Sequence, residues 1–137
     1  MIRNRSVPRS TVIPVLAYDD ASVAADWLVR AFGFRVRLRI GGHRVQMTVG
    51  DGAVIVTDGG GGGAGACHSV LVRVEDAAGH AERAQAAGAT ILQVPTDHPY
   101  GERQYTVRDP GGHRWTFSES IADVDPADWG GEAVELD

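Results

Sequence analysis

A chain of 137 residues can bury one domain's core, and no apolar run approaches the roughly 20 residues that span a bilayer. The formal charge of -5 is unevenly spread: Arg3, Arg5 and Arg9 make residues 1-10 a basic arm, residues 121-137 form an acidic tail, and no basic stripe of the kind nucleic acid requires lies between them. A single cysteine, Cys67, excludes an internal disulfide framework and fits a reducing cytoplasm, as does an N-terminus, "MIRNRSVPRS", without the apolar stretch of a secretion signal.

In chain order, "TVIPVLAY" reads as a strand that Pro14 confines to a sheet edge. Asp19 and Asp20 sit where an N-terminal helix cap belongs, Ala21 to Phe32 is helical, and Gly33 ends the helix. "FRVRLRI" alternates, which predicts Phe34, Val36, Leu38 and Ile40 on one face and a solvated stripe of Arg35, Arg37 and Arg39 on the other. "RVQMTV" and "AVIVTD" flank "GDG" as a hairpin. The glycine-rich residues 59-66 read as a flexible linker. The plan then repeats: "HSVLVRV" as strand, Asp76 to Ala87 as helix, "TILQVP" as strand, and "RQYTVRD" and "HRWTFSE" as strands joined by the turn "DPGG". Asp20 and Asp76 lie 56 residues apart, and the glycines after the two helices, Gly33 and Gly88, lie 55 apart. The organisation is α+β, two tandem βαβββ modules spanning 11-58 and 67-120.

Two such modules, the second ending in "RDPGGHRWTFSE", resemble the vicinal oxygen chelate superfamily, which holds glyoxalase I, extradiol dioxygenases and bleomycin-resistance proteins. The resemblance covers about Thr11 to Ser120. It implies a cupped sheet enclosing a pocket, helices on the outer face, and a homodimer. It also implies four repeated metal-ligand positions, which fall here on Ile13, Val56, Ser69 and Thr116. None is His or Glu. Two are apolar and two are neutral hydroxyls, poor ligands for a transition metal. The expectation is a protein without metal or other cofactor.

The remaining polar residues divide between structure and ligand. His113 shares a strand face with Trp115 and Phe117 and reads as structural, while His43 and His98 sit in loops. "PYGERQY" resembles the bleomycin-resistance pattern in which an aromatic side chain stacks on a flat ring of the ligand. That implies a binding role for Tyr100, with Arg103 beside it. Alternation from Thr116 brings Arg114 and Ser118 to the cup, and alternation from Ser69 brings Leu71 and Arg73. The predicted ligand site is therefore Tyr100, Arg103, Arg73, Arg114, Thr116, Ser69, Val56 and Ile13. It would take a small organic molecule with aromatic bulk and an acidic or carbonyl group. The leading expectation is a cytoplasmic, metal-free binding protein that sequesters a toxic natural product, with neither nucleic acid nor membrane as partner. The alternatives are a metal-dependent lyase, isomerase or oxygenase, a metal-free acid–base enzyme using His43, His98 or Glu102, and an accessory module with a filled cup.

Overall fold

The computed structural model describes residues 2-59 and 68-133. The predicted linker, apart from Gly59, and Cys67 lie outside the described residues. The elements are β1 (Val15–Tyr18), α1 (Ala21–Phe32), β2 (Arg35–Ile40), β3 (Arg44–Val49), β4 (Gly52–Asp58), β5 (Val70–Arg73), α2 (Ala77–Ala86), β6 (Thr90–His98), β7 (Glu102–Arg108) and β8 (Arg114–Ser120). A 3-10 turn, Pro126–Trp129, follows. They form two four-stranded sheets, ordered β1-β4-β3-β2 and β5-β8-β7-β6. In each the first pair is parallel and the others are antiparallel. This is the α+β, two-module plan the sequence predicts. Among the described residues no helix is long and apolar enough to cross a membrane.

Local chemistry fixes the helix ends. The Asp20 carboxylate accepts from the Val23 amide at 3.1 Å, and Asp76 accepts from Gly79 at 3.1 Å, so each satisfies a donor that the first helical turn leaves free. Gly33 takes φ 78°, where a side chain would be strained, and its amide returns to Val29 O. The helices also cap each other across the modules. Arg83 of α2 donates to Arg30 O and Val29 O at the end of α1, and the Trp27 indole of α1 donates to Ala87 O at the end of α2. Pro14 precedes β1, which is an edge strand, and its carbonyl still accepts from Ile55.

One core joins the modules. Leu16, Leu28, Phe32, Phe34, Val45, Met47, Val54 and Val56 from the first pack with Ala81, Tyr105, Val107, Trp115 and Phe117 from the second. Phe32 sits edge-on to both Trp115 and Phe117, with ring centroids 5.6 and 4.8 Å apart. Each sheet thus has a helix-side face in this core and an open face turned away from it.

Two sequence expectations about facing are corrected. The strict alternation predicted for β2 is broken by a bulge between Val36 and Leu38. Val36 pairs with core Met47, whereas Leu38 and Ile40 pair with Gln46 and Arg44 on the open face. Arg39 is thereby turned toward α1, where it meets Asp26 at 3.2 Å, while Arg37 binds Gln46. Val56 does not face the open side. It pairs with Leu16 and Val45 and is fully buried in the core; its neighbour Ile55 takes the open-face position.

The candidate ligand site

The open face of the second sheet is built by alternation and register. On β7 and β8, Tyr105, Val107, Trp115 and Phe117 are consumed by the core, which leaves Glu102, Gln104, Thr106, Thr116 and Ser118 on the other side. β5 adds Leu71, opposite Thr116, and Arg73, opposite Ser118. Ser69 is exposed two residues before Leu71. These side chains are linked across the strands. Tyr100 OH donates to Gln104 Oε1 at 3.2 Å, Gln104 Nε2 donates to Ser118 Oγ at 3.1 Å, and Ser118 Oγ donates to Glu102 Oε1 at 2.8 Å. Thr106 and Thr116 hydroxyls meet at 3.1 Å. Hydrogen bonds from the Ser120 and Ser118 hydroxyls, with the Arg73 charge nearby, hold the Glu102 carboxyl below the usual carboxylate range. The face therefore carries a fixed anion at its Tyr100 end.

At the other end Arg108 and Arg114 stand directly opposite each other, and neither forms a salt bridge among the described residues. Like charges so placed repel unless something anionic meets them.

Tyr100 belongs to an aromatic group. Its ring stacks on His98 at 5.1 Å with an 8° interplanar angle, and Trp129 leans on it at 5.3 Å. The residue after it explains the arrangement. Gly101 has φ 84°, and a Cβ there would collide with Ala122 O. The Gly101 carbonyl accepts from Ile121 at 2.8 Å, which ties the chain after β8 to this loop and brings Trp129 within reach. His98 Nε2 is shielded from solvent and has no hydrogen-bond partner.

The other predicted residues fall elsewhere. Arg103 faces the helix side, because it pairs with Glu119 and Asp97 rather than with an open-face residue. It forms an ion pair with Asp97 at 2.6 Å. Its neighbour Gln104 occupies the cup-facing position and was missed, although alternation away from Tyr105 marks it. Ile13 is half-buried just before β1, and Val56 is in the core as described. The strand pairing Val15 to Ile55 repeats as Leu71 to Thr116, so the four repeat-related positions are Ile13, Ile55, Ser69 and Thr116. Ile55 offers no more to a metal than Val56 does. Among the described residues no three His, Cys, Asp or Glu side chains converge. An apolar and hydroxyl donor set does not fit the family's divalent ion.

His113 and Asp109 are structural. Asp109, in the "DPGG" turn, is buried and accepts from Tyr18 OH at 2.5 Å, Trp115 Nε1 at 3.0 Å and the amides of Gly111 and His113. Burial, and then the Asp109 charge, push the Tyr18 hydroxyl far above its usual range, so it stays a donor. His113 Nε2 donates to Ala17 O at 2.8 Å, and its backbone amide, not its ring, closes the turn. A cavity of about 520 Å³ lies behind this turn, against Tyr18, Trp27 and Asp26, away from both open faces. Two of its three carboxylates are already engaged, Asp20 in capping α1 and Asp26 with Arg39.

Comparison with known proteins agrees with this architecture. TioX from Micromonospora sp. ML1 is 41% identical, with 82% of this chain and 99% of that chain covered and a TM-score of 0.69. A glyoxalase-related enzyme from Fulvimarina pelagi shares the fold at 18% identity, a TM-score of 0.69 and coverage of 93% and 99%. An uncharacterized protein from Mycobacterium tuberculosis is 28% identical, with 81% of this chain and 75% of that protein covered. The family model described as Glyoxalase/Bleomycin resistance protein/Dioxygenase superfamily matches residues 11–117. With that match spanning most of the chain and both βαβββ modules in place, the chain belongs to this superfamily.

Proposed function

We propose that the chain binds a small organic molecule on the open face of β5–β8, without a metal, and sequesters it unchanged. The observation that carries this reading is the pairing of two facts. The family's metal positions hold Ile13, Ile55, Ser69 and Thr116, and the second sheet's open face, which carries the last two, also bears a prearranged polar chain ending at an aromatic side chain. Preorganised donors and acceptors bind with less ordering cost than free side chains do. A flat ring would lie against the Tyr100 group, and its N–H or O–H donors would meet Glu102. Leu71 would cover apolar bulk. Arg73 and Arg114 would take acidic or carbonyl groups, with Thr116 and Ser69 supplying hydroxyls. The family description includes bleomycin resistance proteins, which agrees with a protective role.

The functional unit in this reading is a homodimer. Leu92 and Val94 on β6, at the sheet edge away from Leu71, are exposed, and a second copy would cover them. The lone cysteine supports a cytoplasmic setting.

A second reading, acid–base catalysis without a metal, is favoured by one observation. His98 Nε2 is unpartnered and His98 lies directly opposite Glu102, which is held ionised. Mass spectrometry of a compound recovered after prolonged incubation separates the two. Sequestration predicts the compound intact. Conversion that is lost in His98→Asn or Glu102→Gln establishes the enzyme instead.

A further inference from the structure

The two open faces differ in one respect that the repeat does not predict. Equivalent positions are set by strand pairing: Ile55 corresponds to Thr116, Gln46 to Thr106, Ala53 to Arg114 and Val15 to Leu71. On the second sheet all four are at least partly exposed. On the first, Gln46, Ala53 and Ile55 are only 3%, 6% and 8% exposed, yet they lie on the side away from the core. Val15 remains 52% exposed, close to the 61% of its counterpart Leu71. Something therefore covers β3 and β4 but not β1.

Over Gln46 and Ala53 the cover is the chain's own N-terminal arm. Gln46 Nε2 donates to Ser6 O at 2.8 Å, Arg37 Nη2 donates to Arg5 O at 2.9 Å, and the two side chains are themselves joined through Arg37 Nη1 and Gln46 Oε1. Pro8 is buried, beside Thr48 and Ala53. Both arm contacts are made to backbone carbonyls, Arg5 O and Ser6 O in a turn, so the face holds the arm's backbone rather than particular side chains. Proline suits this buried position, because it brings no amide needing a partner.

We propose that residues 5–10 are an autoinhibitory strap, a resident occupant of the first sheet's open face that must leave before that face can take anything else. Two hydrogen bonds and one buried ring hold it, few enough for release without unfolding either sheet. A ligand that needs this face is bound more weakly by the fraction of molecules in which the strap is docked. The proposal is independent of which ligand the second sheet takes.

Limited trypsin digestion of the full chain, read by mass spectrometry at the Arg5–Ser6 and Arg9–Ser10 bonds, tests it. The comparison is with Arg37→Ala/Gln46→Ala, whose arm sequence is unaltered. A docked strap predicts cleavage in the parent slower by about tenfold or more, the factor that roughly 1.4 kcal/mol of protection supplies, with cleavage after Arg83 and Arg108 unchanged. Equal rates at the two arm bonds overturn the strap. Pro8→Asp leaves every strand residue in place and gives a second reading through 8-anilinonaphthalene-1-sulfonate, an aromatic anion that binds exposed apolar faces. Release of the strap predicts a several-fold rise in its fluorescence with cooperative melting retained. Unchanged fluorescence in that variant overturns the claim that the strap blocks the face.

Discussion

At the scale of single residues, Tyr100 and His80 make separate demands on experiment. Tyr100 joins the aromatic group to the polar chain, and neither its ring nor its hydroxyl is in the core. Tyr100→Ala is expected to weaken ligand binding by roughly 3- to 10-fold, the range that an aromatic contact of about 0.5–1.5 kcal/mol supplies, and to leave cooperative melting intact. Arg103→Ala, on the opposite face, is expected to leave affinity unchanged, and a calorimetric titration of the two variants checks both. His80 lies in the interface between modules. Its Nε2 faces a carbonyl, Phe32 O at 3.1 Å, so that nitrogen carries the proton, and Nδ1 accepts from Tyr105 OH. Burial, with the Arg83 charge adding to it, lowers the His80 pKa from its ordinary 6.5. The unfolded chain then binds the proton more readily than the folded one. The His80 contribution is complete above about 6.5 and is lost as pH falls below it toward the lowered folded value. Melting temperature is expected to fall between pH 7.5 and 5.5, and less steeply in His80→Gln; parallel slopes would remove His80 as the cause.

At the scale of elements, the signals that were legible are local ones. Asp20 and Gly33 announce the bounds of α1 because a cap and a left-handed stop act within one turn of chain. Gly33→Ala forces a Cβ to 3.2 Å from Arg83 Nη1 at positive φ. It is expected to cost about 1 kcal/mol or more, seen as a lower denaturation midpoint at unchanged slope. What was not legible depends on pairing partners far away in sequence. The bulge in β2 is set by its register against β3, so the alternation of "FRVRLRI" misplaced Leu38, Ile40 and Arg39. Counting fixes the position of Val56 only to within one residue, and one residue reverses the face. The pairing Val15 to Ile55 settles it. The loop motif around Arg103 misleads in a similar way, because its strand partner Glu119 sets its face.

At the scale of the whole molecule, the two modules are joined through their helix sides, and the joint is polar as well as apolar. Asp109 holds Tyr18 of the other module, and each helix end is capped from the other. Asp109→Ala would orphan the Tyr18 hydroxyl, the Trp115 indole and two amides; at about 1–3 kcal/mol for each buried group left unpaired, a loss of several kcal/mol in denaturant unfolding is expected. With the core so placed, both open faces are free of it, one crossed by the chain's own arm and one carrying the linked polar chain. The fold and its repeat were readable from sequence, but the docking of the arm was not, since a strap held through its backbone carbonyls leaves no motif. The central claim is that the superfamily's metal site has been replaced by a ligand surface. The most direct measurement is the melting temperature of the purified chain, titrated separately with Zn²⁺, Ni²⁺ and Fe²⁺ and with a panel of flat aromatic natural products carrying acidic or carbonyl groups. Saturation by an organic compound at 100 times its Kd is expected to add roughly 2.7 kcal/mol, with no comparable rise for any metal. A rise with one equivalent of a transition metal, and none with any organic compound, would contradict the account.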